Sequence, residues 1–200
     1  MPRERYTVFD FGLTRLAGGF HQDWGYVGEP EDVAREQLGE SADAAALEHD
    51  VSLLVVSALS DAQIERFWGA ATGENYRFEP PESGRDLLRR LWGVAREWQR
   101  THGNARPETD PAWEAAELRE RVLRAVRDAP SFSAELREVL AVCARSVSVA
   151  LAFRMLLRLH VACLVALPPA LWAEYREIGA ALALGEHAID TVAFLVGGTG

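Results

Sequence analysis

Few residues in this chain could do chemistry at neutral pH, and the clearest pair is His21 and Asp23. A histidine nitrogen and a carboxylate can both bind zinc, and histidine exchanges a proton near neutrality, so the pair raises the question of a metal site or an acid–base pair. Two ligands two residues apart do not complete a metal site. The sequence contains no second cluster of histidine, cysteine and carboxylates with ligand spacing. We therefore expect no metal, no cofactor and a structural role for the turn that contains the pair.

Nucleophilic catalysis has one possible local pair, Cys163 and His160, which are three residues apart on a predicted helix. Both lie with Cys143 in the most apolar segment of the chain, and burial there raises the pKa of a thiol and suppresses its reactivity. The glycine pairs Gly18-Gly19 and Gly197-Gly198 lack the spacing of a phosphate-binding loop. The sequence thus predicts buried, reduced thiols and no catalytic residue.

Composition and charge limit the class of partner. The chain has 200 residues, of which 48% are hydrophobic, and its net charge is −9. The acidic excess is uneven, with a net charge of −7 over residues 1–100 and −2 over residues 101–200. An acidic surface repels nucleic acid and attracts a cationic partner, although it also keeps many proteins in solution. We expect no nucleic-acid partner, and both interpretations of the acidic surface stay open.

The apolar segment 139–167 raises the question of membrane insertion. It contains Arg145, Arg154, Arg158 and His160. Because a charge at mid-bilayer costs about 2.5 to 3.5 kcal/mol on insertion scales, we expect a buried helix and no membrane contact. The charged first residues lead into no long apolar run, so we also expect a cytoplasmic protein without a secretory signal.

Hydrophobic residues recur at helical spacing over most of the chain, which predicts an all-α fold, built as one compact helical bundle or as two helical modules. Ser60 with Gln63 and Ser83 with Asp86 form capping boxes that mark two helix starts. The segment 188–196 fits a helix and a strand equally. The predicted helices cover residues 6–16, 30–38, 42–59, 61–71, 83–100, 113–128, 133–166, as one helix or two that separate near 146–148, and 170–184.

The polar segment 102–111, with one glycine and two prolines, is the best linker in the chain. It predicts a helical domain over residues 1–100, a linker over 101–111 and a second helical domain of unassigned role over 112–200. No internal repeat relates the two halves.

A turn follows the first predicted helix. We expect Gly18 and Gly19 to end that helix, since glycine tolerates a left-handed C-cap. In the tetrapeptide that follows, His21 or Asp23 would accept hydrogen bonds from freed backbone donors, and Trp24 would pack into the core.

The stretch from Leu16 to Trp24, LAGGFHQDW, resembles the amino-terminal signature of the helical immunity proteins of contact-dependent growth inhibition systems. The resemblance extends over about residues 13–98 in the order of helices and in a tyrosine-containing connector with prolines. The sequence departs from the family pattern at residues 25–28, where the family more often continues into acidic residues. The motif residues, to which we assign a structural role, are Gly18, Gly19, Phe20, His21, Gln22, Asp23 and Trp24.

The resemblance implies a cytoplasmic antitoxin that binds a cognate toxin domain, commonly a nuclease, and occludes its active site without chemistry of its own. Residues 101–200 lie outside the resemblance and fit a second inhibitory module or a helical extension. The alternatives are a helical adaptor or regulatory protein without a toxin, and an enzyme whose site lies in the second half. Oligomeric state stays open. The candidate partner-binding residues are Glu29, Glu31 and Asp32 at the entry to the second helix, and Glu79 and Glu82 in the connector.

Overall fold

A computed structural model of the protein describes residues 10–39, 41–106, 109–129 and 131–197. Within these residues the regular structure consists of ten α-helices and three short 3₁₀ turns. The only bridge between extended segments of the described chain joins Leu167 to Val196, and no sheet forms there. The predicted all-α class is therefore confirmed. The ambiguous segment 188–196 contains the end of a short α-helix and the 3₁₀ turn Ala193–Leu195.

The chain divides into two compact units, and the first, here called the N-terminal unit, spans residues 11–108. Within it, the third and fifth helices form the central pair, the second and fourth helices pack on the fifth, and the first packs on the third. Leucine and aromatic side chains fill the space between them, such as Leu47, Phe67 and Leu91. The helices are α1 (Gly12–Gly19), α2 (Pro30–Gln37), α3 (Ser41–Val55), α4 (Asp61–Ala71) and α5 (Gly84–His102).

The starts of α4 and α5 agree with the capping boxes predicted from the sequence. The Ser60 hydroxyl accepts from the backbone N–H of Gln63 at 3.2 Å, and the Gln63 side chain accepts from the Ser60 N–H at 2.8 Å. Ser83 and Asp86 make the equivalent pair at α5. These side chains satisfy backbone donors that a helix start leaves without intrahelical partners.

Several predicted helix boundaries differ from the structure, most clearly those of the first and third helices. Residues 6–9 of the first predicted helix lie outside the described residues, and α1 begins only at Gly12. The third helix ends at Val55 instead of residue 59. The Ser57 hydroxyl donates to the Leu54 carbonyl at 2.7 Å and accepts from the Leu59 N–H at 3.3 Å, so local side-chain bonds replace the helical pattern.

The second unit, here called the C-terminal unit, contains Asp10 and the described residues from Thr109 onward. Residues 101 and 102, which were predicted to be part of the linker, belong to the last turn of α5. The division into helical domains at 1–100 and 112–200 stays a prediction. The eighth helix packs against the sixth and the seventh, and the ninth packs on the sixth. The helices are α6 (Ala116–Asp128), α7 (Ala134–Ser146), α8 (Val149–Ala162), α9 (Pro169–Ala181) and α10 (Glu186–Asp190).

The apolar region 133–166 is two helices, separated at the place the sequence indicated. Ser148 begins α8, since its hydroxyl accepts from the Leu151 N–H at 3.3 Å. The carboxylate of Glu114 accepts from the Val149 N–H at 3.0 Å and from the Ser148 hydroxyl at 3.0 Å. A negative charge at the positive end of a helix is favourable, so Glu114 stabilises this start.

The prediction that both thiols are buried was wrong for Cys163. Cys143 is buried within α7, but α8 ends at Ala162, and Cys163 is exposed just beyond it. Neither cysteine forms a disulfide in the described chain. His160 lies in the core of the same unit, where the ring Nδ1 is 3.1 Å from the Val165 carbonyl and Nε2 is 2.9 Å from the Tyr175 hydroxyl.

Candidate partner-binding groove

The LAGGFHQDW stretch places one aromatic ring at the centre of the N-terminal unit. The Phe20 side chain is 1% exposed. Its ring centroid lies 5.1 Å from that of Trp24, 5.3 Å from Trp68 and 5.5 Å from Tyr76. Tilted and edge-to-face pairs at these distances are favourable beyond the apolar area they bury. Phe20 thus joins the turn after α1 to α4 and to the connector that follows α4.

The prediction that Gly18 and Gly19 end α1 as a left-handed C-cap was wrong. Both belong to α1, and neither has a positive φ, so the helix does not end in a left-handed glycine. A Cβ built on Gly19 would lie 3.1 Å from Cγ1 of Val33 and 3.2 Å from Nε2 of Gln37, both on α2. At Gly19 the lack of a side chain therefore lets the end of α1 approach α2 closely.

The prediction that Trp24 packs into the core was wrong, because its side chain is only half-buried. Its indole N–H donates to the Asn75 carbonyl at 2.9 Å. The Asn75 amide in turn donates to the Phe20 carbonyl at 3.2 Å and to the Thr72 carbonyl at 2.9 Å. These bonds fix the indole against the connector, which leaves part of the ring at the surface.

The three residues between Phe20 and Trp24 are exposed. The backbone N–H of Asp23 donates to Nδ1 of His21 at 3.2 Å, so a neutral His21 carries its proton on Nε2. This agrees with a turn in which histidine satisfies a freed backbone donor. Gln22 and Asp23 present their side chains to solvent.

A surface groove of about 610 Å³ lies beside this turn, entirely within the N-terminal unit. Four of its lining residues are aromatic or proline: Trp24, Pro30, Tyr76 and Pro81. The other six are charged, with four carboxylates and two guanidinium groups: Glu29, Glu79, Glu82, Asp86, Arg77 and Arg90. The groove therefore combines an aromatic wall with a net negative lining.

Arg90 of α5 organises the charges at one side of the groove. Its guanidinium donates to both oxygens of Glu31 at 3.1 and 3.2 Å and also to Glu82. Partial burial alone would lower the pKa of Arg90, but the charges of Glu31 and Glu82 outweigh it and raise the pKa above its usual value. One cation thus links α2, α5 and the connector.

Tyr76 connects this charge network to the aromatic rings. Its side chain is 5% exposed, and its hydroxyl donates to Glu82 at 2.8 Å. Burial, reinforced by the hydrogen bond to Glu82, raises the pKa of Tyr76, so the phenol stays protonated as a donor across the physiological pH range. The ring lies 5.5 Å from the Trp24 ring, centroid to centroid, and the two rings belong to the aromatic wall of the groove.

The five acidic candidates from the sequence separate into two classes. Glu31 and Glu82 are engaged by Arg90. Asp32 accepts from Arg35 at 2.6 Å and from the Glu29 N–H at 3.0 Å, and it does not line the groove. Glu29 and Glu79 line the groove and are exposed, and neither forms an ion pair with another described residue, although the Glu29 side chain accepts from the Asp32 N–H as the cap of α2.

Two central residues of the groove, Tyr76 and Arg90, were missed by sequence reasoning. The connector could have suggested Tyr76, since its two aromatic residues, Tyr76 and Phe78, lie between turn residues, and aromatics in such places often pack back onto the fold. Arg90 carried no signal, because its partners Glu31 and Glu82 are 59 and 8 positions away in the chain.

The described residues form neither a metal site nor a membrane-spanning helix. No group of three or more His, Cys, Asp and Glu side chains there is arranged to hold a metal ion. No helix of the described chain combines the length and hydrophobicity that crossing a bilayer requires. His160 and Tyr175 are both 0% exposed, so this pair has no path to a substrate in solution.

Comparison of the chain with protein-family models, with curated proteins and with solved structures finds no match.

Proposed function

We propose that the protein is an immunity protein of the contact-dependent inhibition type, which binds a cognate toxin domain and blocks it through the groove face of the N-terminal unit. The observation that carries the proposal is the groove itself. The motif residue Trp24 and the exposed carboxylates of Glu29 and Glu79 line the same depression. A cationic toxin domain such as a nuclease is the class of partner that suits this surface.

The groove has the physical properties of a protein interface. Aromatic side chains are enriched at interface centres because they bury a large area at a low entropic cost. Trp24 and Tyr76 are already fixed, by the bond to Asn75 and by the bond to Glu82. Binding to such preorganised side chains loses less conformational entropy than binding to mobile ones.

The electrostatic pattern supports a cationic partner. Glu31 and Glu82 share the single positive charge of Arg90, whereas the exposed Glu79 has no ion pair with a described residue and Glu29 is engaged only as the cap of α2. Charges of this kind act mainly on the association rate, since they attract the partner before contact. Fast association suits an inhibitor that must capture a toxin before it acts.

The direct test is co-expression with the carboxy-terminal domain of a large secreted protein, if the adjacent upstream gene encodes one, read out as cell growth and as complex formation by size-exclusion chromatography. We expect the wild-type chain to protect cells and to co-elute with the toxin domain. Glu79→Lys should weaken the complex by about tenfold or more, because it replaces an attractive charge by a repulsive one.

A matched control is Glu36→Lys. Glu36 is exposed on α2 of the same unit and does not line the groove, so the reversal changes net charge equally without touching the site. Circular dichroism should be unchanged for both variants. Absence of a complex with the wild-type chain would contradict the proposal, and binding without protection would indicate an adaptor. Equal effects of the two reversals would place the interface elsewhere.

A further inference from the structure

We infer that the occupant of the groove is an arginine side chain of the partner, seated against the Trp24 and Tyr76 rings and paired with Glu79. The inference rests on the proposed function and adds the chemical group that the groove recognises. It follows from three properties of the groove: its aromatic wall, its charge, and the guanidinium group that it already holds.

The aromatic wall provides a stacking surface. Trp24 is half-buried and lines the groove. Its indole N–H already donates to the Asn75 carbonyl, so the ring offers a partner its aromatic surface and not a hydrogen-bond donor. A planar guanidinium stacks on an aromatic face and is weakly hydrated, which makes its transfer to such a surface easier than that of an ammonium group. The same unit provides an internal example, since the guanidinium carbon of Arg96 lies 5.9 Å from the centroid of the Trp92 ring.

The charge of the groove favours a cation, because its four carboxylates outnumber its two guanidinium groups, Arg77 and Arg90. Of its four carboxylates, Glu82 is paired with Arg90, and Asp86 accepts from Ser83 and Arg89, each at 2.8 Å. Glu29 and Glu79 have no ion pair with a described residue. A carboxylate that lines the same groove as the aromatic rings can form a bidentate, charge-assisted pair with an arriving guanidinium.

Arg90 shows that the groove stabilises this chemical group. It meets two carboxylates, Glu31 and Glu82, and interacts with the Tyr76 hydroxyl. The charges around it favour the cationic form. The proposed partner arginine would pair with Glu79 in the same way and would add a contact with the Trp24 ring.

The inference can be tested without any toxin. The probes are the peptide acetyl-Gly-Arg-Gly-amide, its lysine analogue and its citrulline analogue, in which a neutral urea replaces the guanidinium. Each is titrated into the ¹⁵N-labelled full chain, and the indole N–H resonance of Trp24 is followed. We expect a saturable shift with the arginine peptide, a weaker affinity for the lysine peptide and no saturable shift with the citrulline peptide.

Glu79→Gln should weaken arginine-peptide binding by about tenfold, whereas Glu36→Gln should leave it unchanged. Equal binding of the citrulline peptide, or indifference to Glu79→Gln, would overturn the inference. The two proposals fail separately. Toxin neutralisation without arginine binding would overturn only the inference, and arginine binding without neutralisation would overturn the proposed function.

Discussion

The N-terminal unit has its main polar network at the surface, whereas the C-terminal unit has a polar pair in its core. Arg90 and its two carboxylate partners border an open groove. His160 and Tyr175 are fully buried and bonded to each other. Surface charges contribute little to stability and remain available for a partner, while buried polar groups are costly to leave unpaired. The difference separates a surface suited to recognition from a core pair whose role is stability.

The buried pair has a defined proton arrangement. A carbonyl oxygen only accepts, so Nδ1 of His160 donates to Val165, and Nε2 accepts from the Tyr175 hydroxyl. Burial lowers the pKa of His160 despite the bond to Val165, and burial also raises the pKa of Tyr175, with a smaller contribution from Asp128. Both groups are therefore neutral in the folded protein at physiological pH.

The largest expected effect is at the aromatic centre of the N-terminal unit. Phe20→Ala should lower the free energy of unfolding by about 3–5 kcal/mol, since it leaves a cavity among rings that pack on Phe20. Denaturant unfolding of the full chain measures the change in the free energy of unfolding. Hydrogen exchange of the α4 amides assigns that change to this unit. Gln22→Ala, an exposed position of the same motif, should change stability by no more than about 0.5 kcal/mol. Similar costs at both positions would refute the assignment of Phe20 as the buried anchor.

A smaller effect is expected in the core of the C-terminal unit. Tyr175→Phe removes the donor to Nε2 of His160 and leaves a buried acceptor without its partner, which should cost about 1–3 kcal/mol. Hydrogen exchange of α8 amides reports the loss. The control is Tyr26→Phe, because Tyr26 is 92% exposed and its hydroxyl meets solvent. No difference between these two variants would contradict the buried pair.

Mild acid should distinguish the two units. The pKa of His160 is lower in the folded than in the unfolded chain, whose value is about 6.5, so the unfolded chain binds the proton more readily. The contribution of His160 to the free energy of unfolding is therefore complete above the unfolded-state pKa. It is lost as the pH falls from that value toward the lower pKa of the folded state. In the N-terminal unit, bonds from Ser83 lower the pKa of Asp86, and its contribution is lost only in stronger acid.

Hydrogen exchange between pH 7 and pH 5, corrected for intrinsic rates, measures this difference. Exchange protection should fall for α8 but not for α4. His160→Gln should lower stability and remove the pH dependence of α8. A parallel loss in both units of the wild-type chain would contradict the assignment.

The sequence predicted most helices because their signals are local. Ser60 with Gln63 and Ser83 with Asp86 mark starts within one helical turn, and Pro30 marks another. The burial of Trp24 and Cys163 was predicted wrongly because exposure depends on which distant segment covers a side chain.

The groove shows the same limit. Three of its four acidic residues, Glu29, Glu79 and Glu82, were named from the sequence, but Asp86 was not, and the sequence could not separate Glu79 from Glu82. That difference depends on Arg90 and Tyr76, which reach Glu82 only after α5 and the connector have packed.

The role of the groove carboxylates can be measured as the association rate between the full chain and the cognate toxin domain across a salt series. If the groove carboxylates attract a cationic partner, the rate should fall as ionic strength rises, because salt screens exposed charges. Glu79→Gln should lower the rate at low salt and flatten its salt dependence, and Glu36→Gln should do neither. An association rate that is independent of salt, or that is insensitive to Glu79→Gln, would contradict the account.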